Sequence, residues 1–134
     1  MRLYLDSSAL VKRYVDEDGS DEVEAVMGGA RRWATCRVGY VETARAVGLR
    51  GDKAAAERFH GEWPAFSVVE VDLAVAEEAA EIALASDLRA LDAIHLAAVL
   101  ALPGDGVIFA TWDKRLHRAA RDRGLTLLPE SLAA

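Results

Sequence analysis

Four carboxylates stand at positions that ask for a reason. Asp6 closes the apolar run Leu3, Tyr4, Leu5, and Asp113 closes the run "VIFATW". Both fall where a buried strand gives way to a helix, the rim at which open α/β sheets bind ligands. Glu42 shares a helical stripe with Val38, Ala46 and Leu49. Asp92 has Leu88 four residues before it, Leu96 four after and Val99 seven after. That spacing turns both acids partly toward a core. An ionised carboxylate in apolar surroundings is costly unless something compensates it, and Arg45, near Glu42, is the one matching base these elements suggest. A divalent cation would compensate all four. Taken singly, Asp6 and Asp113 read equally well as helix caps and Asp92 as the start of its helix. It is the set that favours a metal.

The elements that must position these acids alternate along the chain. "RLYLD", "RRWATC", "FSVVEV", "GVIFATW" and "LTLLP" read as short strands from their apolar and β-branched content. Between them lie helical segments. "SSALVKRYV" follows Asp6. "GSDEVEAVM" has Ser20 as its N-cap. "VGYVETARAVGL" and "KAAAERFHGEW" come next, the latter ended by Pro64. Asp72 leads into "LAVAEEAAEIALA", "LRALDAIHLAAVLAL" is closed by Pro103 and Gly104, and "DKRLHRAARDRG" comes last. Strands alternating with helices imply an α/β fold, a mostly parallel sheet sandwiched between helices. With no repeat, linker or low-complexity tract, residues 1–134 read as a single domain.

Composition narrows the class. Cys36 is the lone cysteine, which removes any intrachain disulfide and fits a reducing compartment. The longest uncharged stretch, "AIHLAAVLALPG", is too short to span a bilayer, and charges follow Asp6 at Lys12 and Arg13, so a soluble, cytoplasmic protein with no membrane partner is expected. The net charge of −6 argues against a polyanionic partner, but like charges are segregated. Residues 16–24 and 70–87 hold six acids each and no base; residues 31–50 hold five arginines against Glu42, and residues 114–123 five bases against Asp122. Lys114, Arg118 and Arg121 fall on one helical face, opposite Leu116, Ala119 and Ala120, and are candidates for following a phosphate backbone. The acid-rich "DEDGSDE" reads as a solvated turn, because Gly19 comes too early for a calcium loop of EF-hand type. His95 reads as a core histidine beside the acids, and Trp112 as packing.

In order and spacing, "LYLDSSALVKRY", "YVETARA", "LRALDAIHLAAVL" and "ATWDKRL" resemble the four acidic motifs of the PIN domain, in particular the VapC-type toxins of toxin–antitoxin pairs. The similarity spans nearly the whole chain, and "LDAIHLA" and the Thr-x-Asp-x-x-Leu of Thr111 to Leu116 are its most specific pieces. The resemblance implies a PIN-like three-layer sandwich with a five-stranded parallel sheet. It also implies Mg²⁺- or Mn²⁺-dependent endoribonuclease activity, a hydrolase that cuts RNA phosphodiester bonds with a metal-activated water. Asp6, Glu42, Asp92 and Asp113 would then be the catalytic, metal-binding acids, with Ser7 or Ser8 and Thr111 as supporting hydroxyls. A homodimer is implied as well, and a cognate VapB-like antitoxin whose C-terminal segment covers the acidic cleft. Hard oxygen ligands suit Mg²⁺, which keeps several waters, so no side-chain nucleophile is required.

Other classes fit less well. A phosphatase of the haloacid dehalogenase type wants a second Asp two residues after the first, where this chain has Ser8. A receiver domain could use Asp72 but needs an acid pair near the first strand and a late lysine, and Lys114 opens a helix. The remaining alternative is a non-catalytic PIN-like module that binds RNA or protein.

Overall fold

In the computed structural model, which describes residues 1–103 and 106–132, five strands form one sheet. They are β1 (Arg2–Leu5), β2 (Arg32–Cys36), β3 (Phe66–Val69), β4 (Val107–Ala110) and β5 (Thr126–Leu128), arranged β3-β2-β1-β4-β5. Every pairing is parallel, so the sheet is wholly rather than mostly so. β1 is central. Its Leu3 faces Trp33 of β2 and Ile108 of β4, and its Leu5 faces Ala110.

Alternation along the strands divides the core into two layers, because successive side chains point to opposite faces. Leu3, Leu5 and Ala110 pack with α1 (Ser7–Leu10), α2 (Ser20–Gly29), α3 (Arg37–Arg50) and α4 (Lys53–Glu62) through Leu10, Val23, Met27, Val47 and Phe59. Tyr4 and Phe109 pack on the other side with α5 (Leu73–Ser86), α6 (Ala90–Ala101) and α7 (Lys114–Asp122) through Ile82, Leu96 and Leu116. Tyr4 and Phe109 are register partners, and their rings meet edge to face at 5.5 Å. Each of these fully buried side chains contributes about 1.5–3 kcal/mol relative to exposure.

Several local expectations are corrected. The helix after Asp6 is a single α turn, continued as a 3-10 turn over Val11–Arg13. Ser20 does not cap α2; Gly19, at φ 93°, takes that place, while the Ser20 hydroxyl donates to the Val15 carbonyl and accepts from the Glu17 backbone N–H. In α3 the fully buried residues are Gly39, Thr43 and Val47; Val38, Glu42 and Ala46 are partly buried at the flank of that face, as expected, and only Leu49 departs from the stripe, being exposed. α6 ends at Ala101 before Pro103, and Gly104 lies outside the described residues. Asp72 caps α5 by accepting the Val75 N–H, and Asp52, which the sequence reading does not single out, caps α4 by accepting the Ala55 N–H.

The 3-10 turn after α1 is tied down by charge. Arg13 makes a bidentate pair with Glu62, both contacts at 2.9 Å, and the Tyr14 hydroxyl donates to the same carboxylate at 2.8 Å. The Arg13 guanidinium, aided by Tyr14 and against partial burial, holds the Glu62 carboxyl below its ordinary value.

Candidate active site

Because β1 and β4 are neighbours in register, the residues just past them are neighbours too. The Asp6 N–H donates to the Ala110 carbonyl, and Asp6 continues in extended backbone before α1 begins. Two residues beyond Tyr4, its side chain therefore falls on the α6 side of the sheet. Asp6 caps α1, accepting the Ala9 N–H at 3.0 Å. It does more than cap. Its Oδ1 also accepts the Ser8 hydroxyl at 2.7 Å, and its Oδ2 accepts the Thr111 hydroxyl at 2.6 Å. The side chain is 3% exposed, and burial lifts the carboxyl above its ordinary value, although His95 and the two hydroxyls pull the other way.

Thr111 links the two strand-end acids. While its hydroxyl donates to Asp6, its oxygen accepts the Asp113 N–H at 3.1 Å. Ser8 braces the same loop, accepting the Trp112 N–H at 2.9 Å. Ser7 makes no hydrogen bond to these groups among the described residues. Asp113 caps α7 through Oδ1, which accepts the Leu116 N–H at 3.0 Å, and this leaves Oδ2 facing outward.

Asp92 sits in the first turn of α6, half-buried. Burial and then the Asp113 charge raise its carboxyl above the ordinary value, against the pull of Arg89. The two aspartates share that one cation: Arg89 Nε lies 3.2 Å from Asp92 Oδ2 and its Nη2 3.3 Å from Asp113 Oδ2. Glu42 belongs to another contact. Its Oε1 lies 2.7 Å from His95 Nε2, while His95 Nδ1 meets the Tyr4 hydroxyl at 2.9 Å and the Cys36 sulfur at 3.7 Å. Burial opposes a charge on His95, but Cys36, Glu42 and Asp6 outweigh it and lift the imidazole to about 10.

The partners of these acids are what sequence spacing missed. Arg89 and His95 compensate them; Arg45 is exposed and pairs with none of them. Arg89 did carry a signal, the i,i+3 spacing to Asp92. The meeting of Glu42 with His95 is long-range and carried none. Trp112 is part of the packing, with Lys12 over its ring at 5.1 Å.

The match to the PIN domain family model runs over residues 3–122. The chain belongs to the PIN-domain family. Within it the chain is of the VapC type: it is 34% identical over 139 residues to Ribonuclease VapC45 of Mycobacterium tuberculosis, covering 97% of this chain and 96% of that protein. PIN-like folds also match in structure. FitAcB from Neisseria gonorrhoeae has a TM-score of 0.68 at 17% identity, covering 93% of this chain and 95% of that one. A toxin–antitoxin complex from Klebsiella pneumoniae has a TM-score of 0.66 at 17% identity, covering 84% and 87%.

As a PIN domain, the chain invites a test for a metal. Among the described residues, no three carboxylate, imidazole or thiol groups converge closely enough as they stand to hold an ion. The donor chemistry nevertheless fits a hard cation. Asp92 and Asp113 already share one positive charge, and Asp6 is tied to Asp113 through a single hydroxyl. A cleft of about 910 Å³ opens at the opposite end of the sheet, lined by Arg2, Arg31, Arg32, Trp33 and Gly106, and a smaller one of about 400 Å³ lies between the turn after α5 and α7, lined by Asp87, Arg115 and Arg118. No helix among the described residues is long and apolar enough to cross a membrane.

Proposed function

We propose that this protein is a metal-dependent endoribonuclease, the toxin of a VapBC-type pair, and that Asp6, Glu42, Asp92 and Asp113 form its catalytic, metal-binding set. The observation that carries the reading is the pairing of Asp92 and Asp113 around one cation, beside an Asp6 strapped to the same loop by Thr111. A Mg²⁺ or Mn²⁺ ion held by these carboxylates would supply charge neutralisation at the scissile phosphate and an acidified water. The chain's own groups do the rest. Ser8 and Thr111 hold Asp6 fixed, and Thr111 and the α7 backbone aim Asp113 with one oxygen turned outward. Asp92, whose charge is disfavoured by burial and by Asp113, would be stabilised by a bound cation. Glu42, anchored by His95, lies at the edge of the set. The toxin–antitoxin complexes among the structural neighbours support a cognate VapB-like antitoxin, the family resemblance supports the further reading of a homodimer, and the lone, buried Cys36 suits the cytoplasm.

The test is to incubate the pure protein with total RNA, with Mg²⁺ and with excess EDTA, and to map new ends. Cleavage with Mg²⁺ that is lost in EDTA and in Asp6→Asn and Asp92→Asn, with both variants folded, is expected. Cleavage that persists in EDTA or in both variants overturns the metal reading. RNA binding with no cleavage under any condition assigns the chain to the non-catalytic PIN-like module instead, a reading that the presence of all four acids argues against.

A further inference from the structure

We infer that Arg89 is a built-in counter-cation of the acidic rim, which a divalent ion must displace in order to bind between Asp92 and Asp113. The inference rests on the proposed reading of those two carboxylates as metal-binding. Its basis is which oxygens are engaged. Asp113 Oδ1 is committed to the Leu116 N–H, so Oδ2 is its outward oxygen, and this is the atom that Arg89 Nη2 approaches. Asp92 likewise meets Arg89 through Oδ2. A guanidinium between these two oxygens occupies the place that an ion bridging them would take, and the two cations cannot share it.

The local backbone delivers the arginine there. α5 ends at Asp87 in a left-handed conformation (φ 51°), which turns the chain sharply. Leu88 then buries its side chain, 7% exposed, and anchors the turn. Arg89 follows as the extended residue before α6, with φ −65° and ψ 154°. An ordinary helix-surface pair would stop at Asp92, three residues on. Arg89 also reaches Asp113, at the cap of a different helix.

The contact is built to be given up. At 3.2 and 3.3 Å both hydrogen bonds are longer than the roughly 2.7–2.9 Å of strong charge-assisted pairs. Arg89 is 73% exposed, so its guanidinium can swing into water without desolvation cost. Removing it leaves Asp92 and Asp113 facing each other uncompensated, which favours any incoming cation.

The experiment is calorimetric titration of the purified full chain with Mn²⁺, for wild type, Arg89→Gln and Arg89→Lys, with thermal melts of each in EDTA and in Mn²⁺. Arg89→Gln is expected to bind Mn²⁺ about fivefold tighter, the worth of two exposed ion pairs, to melt lower in EDTA and to gain the larger shift from Mn²⁺. Arg89→Lys, which keeps the charge but loses the fork, falls between. A purely structural role lowers the melting temperature equally with and without Mn²⁺ and leaves the affinity unchanged; that result overturns the inference, as does weaker binding by Arg89→Gln. If neither wild type nor either variant binds Mn²⁺, the metal reading of the carboxylates fails and the inference with it. Binding that appears only when Arg89 is replaced supports it most directly.

Discussion

His95 Nε2 lies 2.7 Å from Glu42 Oε1, and the opposite ring nitrogen meets the buried Tyr4 hydroxyl at 2.9 Å. One imidazole therefore joins the central strand to an acid on α3. His95→Phe keeps a ring in the core but strands the Tyr4 hydroxyl, so urea unfolding should show a loss of about 2 kcal/mol. Combined with Glu42→Gln in a double-mutant cycle, it should give a coupling of about 1 kcal/mol. Strict additivity would show that the contact contributes nothing to stability.

Asp6 is held as a buried acid whose carboxyl lies above its ordinary value. The sign follows directly: a raised acid costs the folded state stability at neutral pH, where it must ionise, and the cost fades as pH falls. Asn keeps the Ala9 cap, so Asp6→Asn should melt higher than wild type in EDTA. The variant should also gain less than the roughly 2.7 kcal/mol expected for wild type in metal at about a hundred times its dissociation constant. Melts in EDTA and in Mg²⁺ check both, and equal curves with equal metal shifts would return Asp6 to a cap alone.

Glu62 behaves in the opposite sense, since the Arg13 guanidinium depresses its carboxyl. A depressed acid adds stability above its unfolded pKa of about 4.3 and loses it as pH falls through the folded value. Glu62→Gln should therefore cost about 1 kcal/mol at pH 7, and the gap from wild type should narrow below about pH 4. A gap that is constant down to pH 2 would locate the effect in packing instead of charge.

Lys114, Arg118 and Arg121 are exposed along α7, opposite the buried Leu116, Ala119 and Ala120, as their spacing predicts. Arg121 also donates to the Glu130 carbonyl, which fixes that end of the row. Replacing all three by Gln should weaken binding of a single-stranded RNA and reduce the slope of log K against log salt by about two, near 0.7 for each phosphate no longer neutralised. Fluorescence anisotropy at several salt concentrations measures both; an unchanged slope makes this face ordinary solvated surface.

What could be read from sequence follows from how local each signal is. The five strands and the acids at positions 6, 92 and 113 were legible because strand ends and an apolar helix declare themselves within a few residues. The face of α3 was not. Its buried positions include Gly39 and Thr43, which hydropathy does not mark, and Gly39 lets α3 approach β2 so closely that an added Cβ would lie 2.2 Å from Thr35 Oγ1. Ser20 misled for a similar reason: a good capping residue was recruited back to Val15 while Gly19 supplied the left-handed turn. Glu42 was legible as an acid out of place, but its partner was not, because His95 reaches it only through the tertiary fold.

The pairing of β1 with β4 also sets when the protein becomes capable of harm. The first strand made is the middle of the sheet, and it cannot be flanked on both sides until the fourth has been synthesised, with Asp113 just beyond it. A chain growing from its N-terminus at about 5–20 residues per second thus carries Asp6 and Glu42 on the ribosome for seconds with no partner acids beside them. If these carboxylates are the cutting groups, a product truncated before β4 lacks both the strand that flanks β1 and the fourth acid, Asp113.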